Sequence, residues 1–196
     1  KEQLERVRVL SLANPPSNVL NRRLLETLLG EVGDAAADPA VRCLVLGSSY
    51  TRYFSTGIDL DEVKAAADGD QARHFLLLLE VYRALREFPK PTLAAIGGTA
   101  LLGGWILAMA CDFRLISDDG KIALSEIRFG LSPTAILVQR LSEISTNPTL
   151  VKEMLLKGRT LRADEALAGG FVDRVFAPDK LQEEALREAR LLSKQA

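Results

Sequence analysis

The stretch TLAAIGGTALLGGWILAMACDFRLIS, residues 92–117, decides the fold class of this chain. Its first six residues and residues 113–117 are short apolar runs, which are typical of strands buried on both faces. Between them, small residues lead into an apolar helix that we predict over residues 104–110. A strand, a helix and a second strand in this order indicate parallel strands, so the stretch predicts an α/β protein.

The alternation of strands and helices continues towards the N-terminus. Residues 6–13 alternate between apolar and polar side chains as a half-buried strand does, and residues 41–47 form a buried apolar strand. An amphipathic helix lies between these two strands, and Asn21 is placed to cap it. Residues 48–57 are predicted to be a polar loop, which leads towards a long helix over residues 71–87.

The part of the chain beyond Asp118 is predicted to be mostly helical. Helices are predicted at 133–142, 148–157, 162–168 and 180–192, and a last strand at 171–176. No internal repeat, low-complexity tract or linker interrupts the pattern. We therefore expect a single domain over residues 1–196.

Composition and charge exclude several classes of function. The 196 residues include 25 Lys and Arg against 26 Asp and Glu, and a net charge of -1 gives no general attraction to nucleic acid. No apolar run reaches the ~20 residues that a membrane-spanning helix needs. Cys43 and Cys111 lie in apolar segments, as reduced core thiols do, which indicates the cytoplasm or the mitochondrial matrix.

The sequence lacks the residues of several common catalytic centres. Its one histidine, His74, lies in a leucine-rich helix, where a packing or surface role is expected and a serine triad has no support. Two distant cysteines cannot form a closed zinc site, and neither phosphate-binding glycine motif occurs. We therefore expect no metal and no nucleotide cofactor. Trp105 is predicted to pack in the core rather than to stack on a substrate.

Two glycine-containing segments remain as candidates for chemistry, FSTGIDL at residues 54–60 and GGTALLGG at residues 97–104. Glycine allows tight turns and lets a ligand approach peptide N–H groups that a Cβ would shield. If one N–H group from each segment points at the same position, the pair forms an oxyanion hole. Taken alone, each segment is equally typical of a strand-to-helix turn packed with small residues.

The order of these motifs resembles that of the crotonase family, the enoyl-CoA hydratases and isomerases. The motifs are NPPSNVLN at 14–21, then FSTGIDL, then GGTALLGG followed by LAMACDFRL, and SEIRFGLSP at 125–133. The resemblance covers about residues 5–190. It implies a core of repeated ββα units wound as a spiral, with a mostly helical C-terminal part. Most members of the family continue for several helices beyond the position of Ala196.

The resemblance also implies where the reaction takes place. In this family the thioester carbonyl oxygen lies between two backbone N–H groups, which are those of Ile58 and Gly103 here. Glu126 corresponds to one of the two catalytic glutamates of the hydratases, whereas Ile106 stands at the position of the other. Substrate contacts are expected from Thr56, Gly57, Asp59, Leu60, Ile106 and Ser125.

Simpler structural roles are open for the acidic residues of these motifs. Arg128 or Arg140 could pair with Glu126 and make it a surface carboxylate. Asp59 and Asp61 are typical of a helix N-cap and a first-turn charge rather than of catalysts. The segment PTAIL at 133–137 replaces the glycine-rich segment of the hydratases and is expected to add bulk near the acyl pocket.

The pattern resembles that of the family's mitochondrial-type Δ3-Δ2-enoyl-CoA isomerases, which likewise carry an apolar residue at the position of Ile106, and this implies an isomerase of fatty acid metabolism. One carboxylate suffices to move a proton between two carbons, while hydration needs a water held between two carboxylates. Other crotonase reactions stay open, namely hydration, thioester hydrolysis and decarboxylation, and so does a non-catalytic subunit that binds acyl-CoA. Coenzyme A is expected only as part of the substrate. The family also implies a homo-oligomer, either a trimer or a dimer of trimers.

Overall fold

The computed structural model describes residues 6–65 and 70–195, which form eight α-helices, eleven strands and one short 3-10 helix in this part of the chain. The helices are α1 (Arg22–Ala37), α2 (Leu60–Ala65), α3 (Asp70–Arg86), α4 (Gly103–Ala110), α5 (Ala135–Ile144), α6 (Pro148–Lys157), α7 (Ala163–Ala168) and α8 (Leu181–Leu192). The strands are β1 (Val7–Leu12), β2 (Val19–Leu20), β3 (Cys43–Ser48), β4 (Tyr53–Ser55), β5 (Gly57–Ile58), β6 (Thr92–Ile96), β7 (Thr99–Leu101), β8 (Phe113–Ser117), β9 (Lys121–Ala123), β10 (Leu161–Arg162) and β11 (Arg174–Phe176). The 3-10 helix is Glu126–Phe129.

Two main sheets organise the molecule. Strands β1, β3, β6, β8 and β11 form a parallel sheet in that order. A smaller sheet contains β4, β7 and β9 as parallel neighbours, and β10 pairs antiparallel with β9. Each of β3, β6 and β8 is followed at once by a short strand of the smaller sheet. The chain therefore winds as a spiral and places one strand in each sheet per turn.

The three central strands of the five-stranded sheet, β3, β6 and β8, are buried on both faces, which explains their largely apolar sequences. In β3, Leu44 and Leu46 pack into the main core, whereas Cys43 and Val45 face helix α8 on the other side. Both cysteines, Cys43 and Cys111, are buried free thiols, as predicted. Burial raises the pKa of each thiol to about 12, so neither is a thiolate at neutral pH.

Helix α4 lies at the centre of the molecule, and all eight of its residues are buried. Trp105 is fully buried in it, which confirms the packing role predicted for this side chain. The helix approaches β4 so closely that a Cβ added to Gly104 would lie 2.5 Å from the carbonyl oxygen of Ser55. Only glycine fits at this position, and the close approach sets the depth at which α4 begins.

Most of the predicted elements are present, including the helix cap at Asn21, whose side chain accepts the Leu24 N–H at 2.9 Å. The loop predicted over residues 48–57 is wrong, because β4 and β5 lie within or at the end of it. Strands of two or three residues are too short to show alternation in sequence. The last strand begins three residues later than predicted, because Phe171 N–H still bonds the Ala166 carbonyl at the end of α7.

Among the described residues, no helix is both long enough and apolar enough to cross a bilayer.

Alanine substitutions at two helical glycines should have opposite effects on stability. Gly104→Ala places a methyl group against the Ser55 backbone and should lower the free energy of unfolding by about 1–3 kcal/mol. Gly30→Ala in α1 adds a methyl group that meets nothing within 4 Å, and should raise it by about 0.5–1 kcal/mol. Urea unfolding of both variants measures the difference. Equal stabilities would contradict the close packing of α4 on β4.

Candidate functional site

An apolar cavity of about 260 Å³ lies between α3, the start of α4, the 3-10 helix and the segment that precedes α5. Its apolar lining residues are Ile58, Leu60, Phe75, Leu78, Leu79, Leu102, Ile106, Phe129, Leu131, Pro133 and Leu137. Gly103, Ser132 and Thr134 complete the wall. Among the described residues that line it, Glu126 is the one ionisable group. The cavity therefore suits an apolar ligand that meets one carboxylate.

Glu126 is held in this cavity by the 3-10 helix that begins with it. The Glu126 carbonyl accepts the Leu131 N–H at 3.1 Å, which closes the turn and fixes the backbone of Glu126. The Oε2 atom of its carboxyl group is buried and has no hydrogen-bond partner. Burial raises the pKa of Glu126 to about 7, although a hydrogen bond from its own backbone N–H offsets part of the shift.

No described cation compensates the Glu126 carboxylate. Arg140 donates hydrogen bonds to the carbonyls of Met109 and Cys111 at 2.8 and 3.1 Å, at the far end of α4. Within residues 6–65 and 70–195, neither Arg140 nor Arg128 forms an ion pair with Glu126. A half-buried carboxyl group with one unpartnered oxygen and a pKa near neutrality has the properties of a general base or acid.

The backbone N–H groups of Ile58 and Gly103 lie side by side at the cavity wall. A Cβ on Gly103 would lie 3.4 Å from the Ile58 nitrogen, and a Cβ on Gly57 would lie 3.1 Å from the Gly103 nitrogen. Gly103 is the first residue of α4, so its N–H has no acceptor within the helix. The two glycine segments therefore bring these N–H groups close together, and an oxyanion hole formed by them stays a prediction.

The Ile58 N–H points away from the strand with which its own strand pairs. Residues Leu20 and Ile58 are register partners in the parallel pair of β2 and β5. The next N–H, that of Asp59, donates to the Leu20 carbonyl at 3.4 Å. Successive N–H groups of an extended strand point in opposite directions, so the Ile58 N–H points away from β2.

Ile106 lies one turn into α4, three residues after Gly103, and its side chain lines the cavity while only 4% exposed. Leu60 lines it as well. The structure therefore brings five predicted site residues together around one space: Ile58, Leu60, Gly103, Ile106 and Glu126. Their roles in binding and catalysis stay predictions.

Four other residues predicted to contact substrate do not line the cavity. The Thr56 hydroxyl lies 3.1 Å from that of Ser17. The Asp59 carboxylate accepts the N–H groups of residues 61 and 62 and caps α2. Gly57 has a φ of +96° and leaves room for Leu102. Ser125 is buried just before the 3-10 helix. A substrate contact by any of these four stays a prediction.

Helix α3 contributes cavity residues that the sequence pattern did not identify, namely Phe75, Leu78 and Leu79. The run FLLLL at 75–79 contains more consecutive apolar residues than one face of a helix needs for the core. These extra apolar residues were the sequence feature that could have indicated a cavity wall in α3. His74 in the same helix is 3% exposed, and its Nε2 lies 2.8 Å from the Leu20 carbonyl, which confirms a packing role.

The segment PTAIL at 133–137 lies beside the cavity, as the resemblance to the crotonase family implies. Pro133, Thr134 and Leu137 line the cavity, and Ile136 points outward with 53% of its surface exposed. This segment therefore adds bulk to the cavity wall, as expected.

Comparison with known proteins agrees with this architecture. A family model described as enoyl-CoA hydratase/isomerase matches residues 2–196. A Thermus thermophilus protein whose name includes the words enoyl-CoA hydratase is 34% identical over 194 residues, which are 97% of this chain and 76% of the relative. The crotonyl-CoA hydratase of Syntrophomonas wolfei is 32% identical over 195 residues, which are 98% of this chain and 75% of that protein.

Solved structures show the same fold. The crystal structure of enoyl-CoA hydratase from Bacillus anthracis superposes with a TM-score of 0.91 at 28% identity and covers 96% of this chain and 73% of its own. The structure of DspI from Pseudomonas aeruginosa gives a TM-score of 0.91 at 30% identity and covers 98% and 78% of the two chains. These matches confirm the crotonase-like spiral fold that the sequence predicts.

The stability of this protein should decrease with pH because Glu126 must ionise in an apolar site. Its pKa is raised to about 7 in the folded state from 4.5, so the unfolded chain loses the proton first. The free energy of unfolding should fall by about 3 kcal/mol between pH 4.5 and pH 7 and then level off. Glu126→Gln keeps the side chain neutral and should remove this part of the pH dependence.

Urea unfolding at pH 4 and pH 8.5 measures the effect. The variant should match the wild type at the lower pH and be more stable by about 3 kcal/mol at the higher pH. Glu80→Gln, a change at an exposed glutamate of α3, serves as the control and should leave the profile unchanged. A Glu126→Gln protein that is less stable at pH 8.5 would show that the ionised carboxylate has a partner.

Proposed function

The chain belongs to the enoyl-CoA hydratase/isomerase family, and from this premise we propose that it is a Δ3-Δ2-enoyl-CoA isomerase. The proposed reaction moves one proton from the α carbon to the γ carbon of a 3-enoyl thioester and gives the conjugated 2-enoyl thioester. The observation that carries the proposal is the composition of the cavity wall. Glu126 is the one carboxylate among its described residues, and the apolar side chain of Ile106 stands near the oxyanion N–H pair.

The backbone N–H groups of Ile58 and Gly103 would bind the thioester carbonyl oxygen. When the α proton leaves, negative charge moves onto this oxygen, and two N–H donors at fixed positions stabilise it without reorganising solvent. One such donor is typically worth about 3 kcal/mol in the transition state. The free N-terminal N–H of α4 also places the positive end of the helix dipole at the oxygen.

Glu126 would perform both proton transfers. Its carboxylate removes a proton from the α carbon, and the electron pair of that C–H bond delocalises into a dienolate over the carbonyl oxygen and the double bond. The protonated carboxyl group then returns the proton to the γ carbon, where a new C–H bond forms while the double bond shifts to the α and β carbons. The carboxylate is regenerated and nothing is consumed, so the reaction requires no cofactor beyond the coenzyme A of the substrate.

An apolar cavity favours these two proton transfers over hydration. The pKa of Glu126 near 7 makes it a stronger base than an exposed carboxylate, and it is still ionised in a large fraction at neutral pH. Ile106 cannot hydrogen-bond a water molecule. Without a second carboxylate among the described lining residues to hold water beside the double bond, the protonated Glu126 would return its proton to carbon.

Hydration is the second candidate, and the names of the relatives favour it. The Syntrophomonas wolfei protein is a crotonyl-CoA hydratase, and the Bacillus anthracis structure is that of an enoyl-CoA hydratase. Other reactions of the family, such as thioester hydrolysis or decarboxylation, are distinguished by activity on a panel of acyl-CoA thioesters, and tight binding with no reaction in any assay would support a non-catalytic subunit. The homo-oligomeric state and the cellular compartment stay predictions.

Product analysis with paired substrates tests the proposed function directly. A trans-3-hexenoyl-CoA sample should be converted to the trans-2-enoyl thioester, while trans-2-hexenoyl-CoA should gain little or no water. The value of kcat/KM should rise with pH and level off above an apparent pKa near 7, because Glu126 must be ionised to act as the base. Rapid hydration of the 2-enoyl thioester would establish the second candidate instead.

Removal of the base should abolish isomerisation without abolishing binding. Glu126→Gln should lower kcat by about 10²- to 10⁴-fold, because an amide of the same shape cannot accept the proton. The dissociation constant for hexanoyl-CoA should change little. Glu80→Gln on the outer surface of α3 is the matched control. Wild-type turnover by the Glu126→Gln enzyme would exclude Glu126 from the chemistry.

Substitution of Ile106 tests why this site would not catalyse hydration of a 2-enoyl thioester. Ile106→Glu places a second carboxyl group on the cavity wall and should introduce measurable hydration of trans-2-hexenoyl-CoA. The same change buries a polar group and should lower the free energy of unfolding by about 2 kcal/mol or more. Ile106→Gln, which has similar size but no acid or base, is the control. Equal hydration rates for wild type, Gln and Glu variants would show that residue 106 does not govern water.

A further inference from the structure

The backbone of Leu102 adopts a conformation that leucine rarely takes. Its φ is 50° and its ψ is −126°, a region that glycine occupies without steric cost and that a side chain makes unfavourable. Residue 102 immediately precedes Gly103, whose N–H belongs to the oxyanion pair. Strained residues of this kind persist where the surrounding structure fixes them, and they cluster at functional sites.

Hydrogen bonds on both sides fix this conformation. The Leu102 N–H donates to the Ala123 carbonyl at 2.9 Å, and the Leu102 carbonyl accepts the Ile106 N–H at 2.9 Å as the first bond of α4. The Cβ of Leu102 also fills the space where a Cβ on Gly57 would lie, only 2.6 Å away. The start of α4 thus dictates the backbone of residue 102 whichever side chain it carries.

A glycine at position 102 would satisfy the same backbone with no strain, so the leucine side chain must be explained by what it contacts. It is only partly buried, and it lines the cavity beside Ile58 and Gly103. Leu102 directly precedes Gly103, whose N–H would bind the carbonyl oxygen. Its side chain would therefore lie beside the atoms that are bonded to the carbonyl carbon. For a thioester substrate, the nearest such atom on the acyl side is the α carbon.

We propose that Leu102 is a specificity-determining residue that excludes acyl thioesters branched at the α carbon. This inference rests on the proposed function, because it requires the thioester carbonyl to bind at the Ile58 and Gly103 N–H groups. The Leu102 side chain occupies the space that an α-methyl group would need. Straight acyl chains pass beside it into the apolar cavity formed with Leu78 and Leu79.

Binding of two saturated thioesters tests this role independently of turnover. Dissociation constants for hexanoyl-CoA and for each epimer of 2-methylhexanoyl-CoA are measured by calorimetry with the wild type, Leu102→Gly and Leu102→Ala. In both variants the affinity of at least one branched epimer should rise about 10- to 100-fold relative to hexanoyl-CoA, the usual value of a methyl group in an apolar pocket. Leu102→Ala removes the bulk but retains the Cβ, so it covers the case in which the glycine variant does not fold.

Leu79→Ala is the matched control, since it enlarges the same cavity from α3, a different element from the one that carries Leu102. This variant should leave the ratio of branched to straight affinities unchanged. An unchanged ratio in Leu102→Ala, or an equal rise in Leu79→Ala, would overturn the inference. Failure of the proposed function gives a different result: the wild type does not convert trans-3-hexenoyl-CoA to the 2-enoyl thioester, whatever the two affinities are.

Discussion

The close contact between the start of α4 and the β4–β5 segment is the constraint on which the site depends. Gly104 lies so near the Ser55 carbonyl that any side chain would separate the helix from the smaller sheet. The same contact places the first N–H of α4 beside the N–H of Ile58. Two donors from distant parts of the sequence thus meet because two consecutive glycines let backbone approach backbone, and the depth of α4 in the core keeps them in place.

The cavity beside this pair makes Glu126 a stronger base and also lowers the stability of the folded protein. A carboxyl group among leucine, isoleucine and phenylalanine side chains has little solvation, which raises its pKa to about 7 and lowers the stability of the folded state wherever it ionises. A cation nearby would restore stability but would weaken the base. The structure instead directs Arg140 to the far end of α4, where its guanidinium group satisfies backbone carbonyls.

The sequence was sufficient to predict the buried strands, because their apolar runs are continuous. It was also sufficient to predict the helix cap at Asn21, because asparagine is a residue type preferred at that position. Through the resemblance to the crotonase family it also selected Glu126, Ile58 and Gly103, which the structure places around one cavity. It could not show the strands β4 and β5, which contain too few residues for a period to appear. Nor could it show that Leu102 has a positive φ, because this conformation results from how β7 enters α4 rather than from leucine itself.

Family membership is shown by similarity along the whole chain, whereas the type of reaction depends on a few side chains at the site. The relatives share about a third of their residues with this chain, and such similarity spread over the whole length reports the spiral fold and the turns that shape the oxyanion pair. Isomerisation and hydration both need those features and one carboxylate. They differ in whether a water molecule is held beside the double bond, which is a property of very few side chains. One residue, Ile106, therefore bears more directly on the reaction than the names of relatives that match along the rest of the chain.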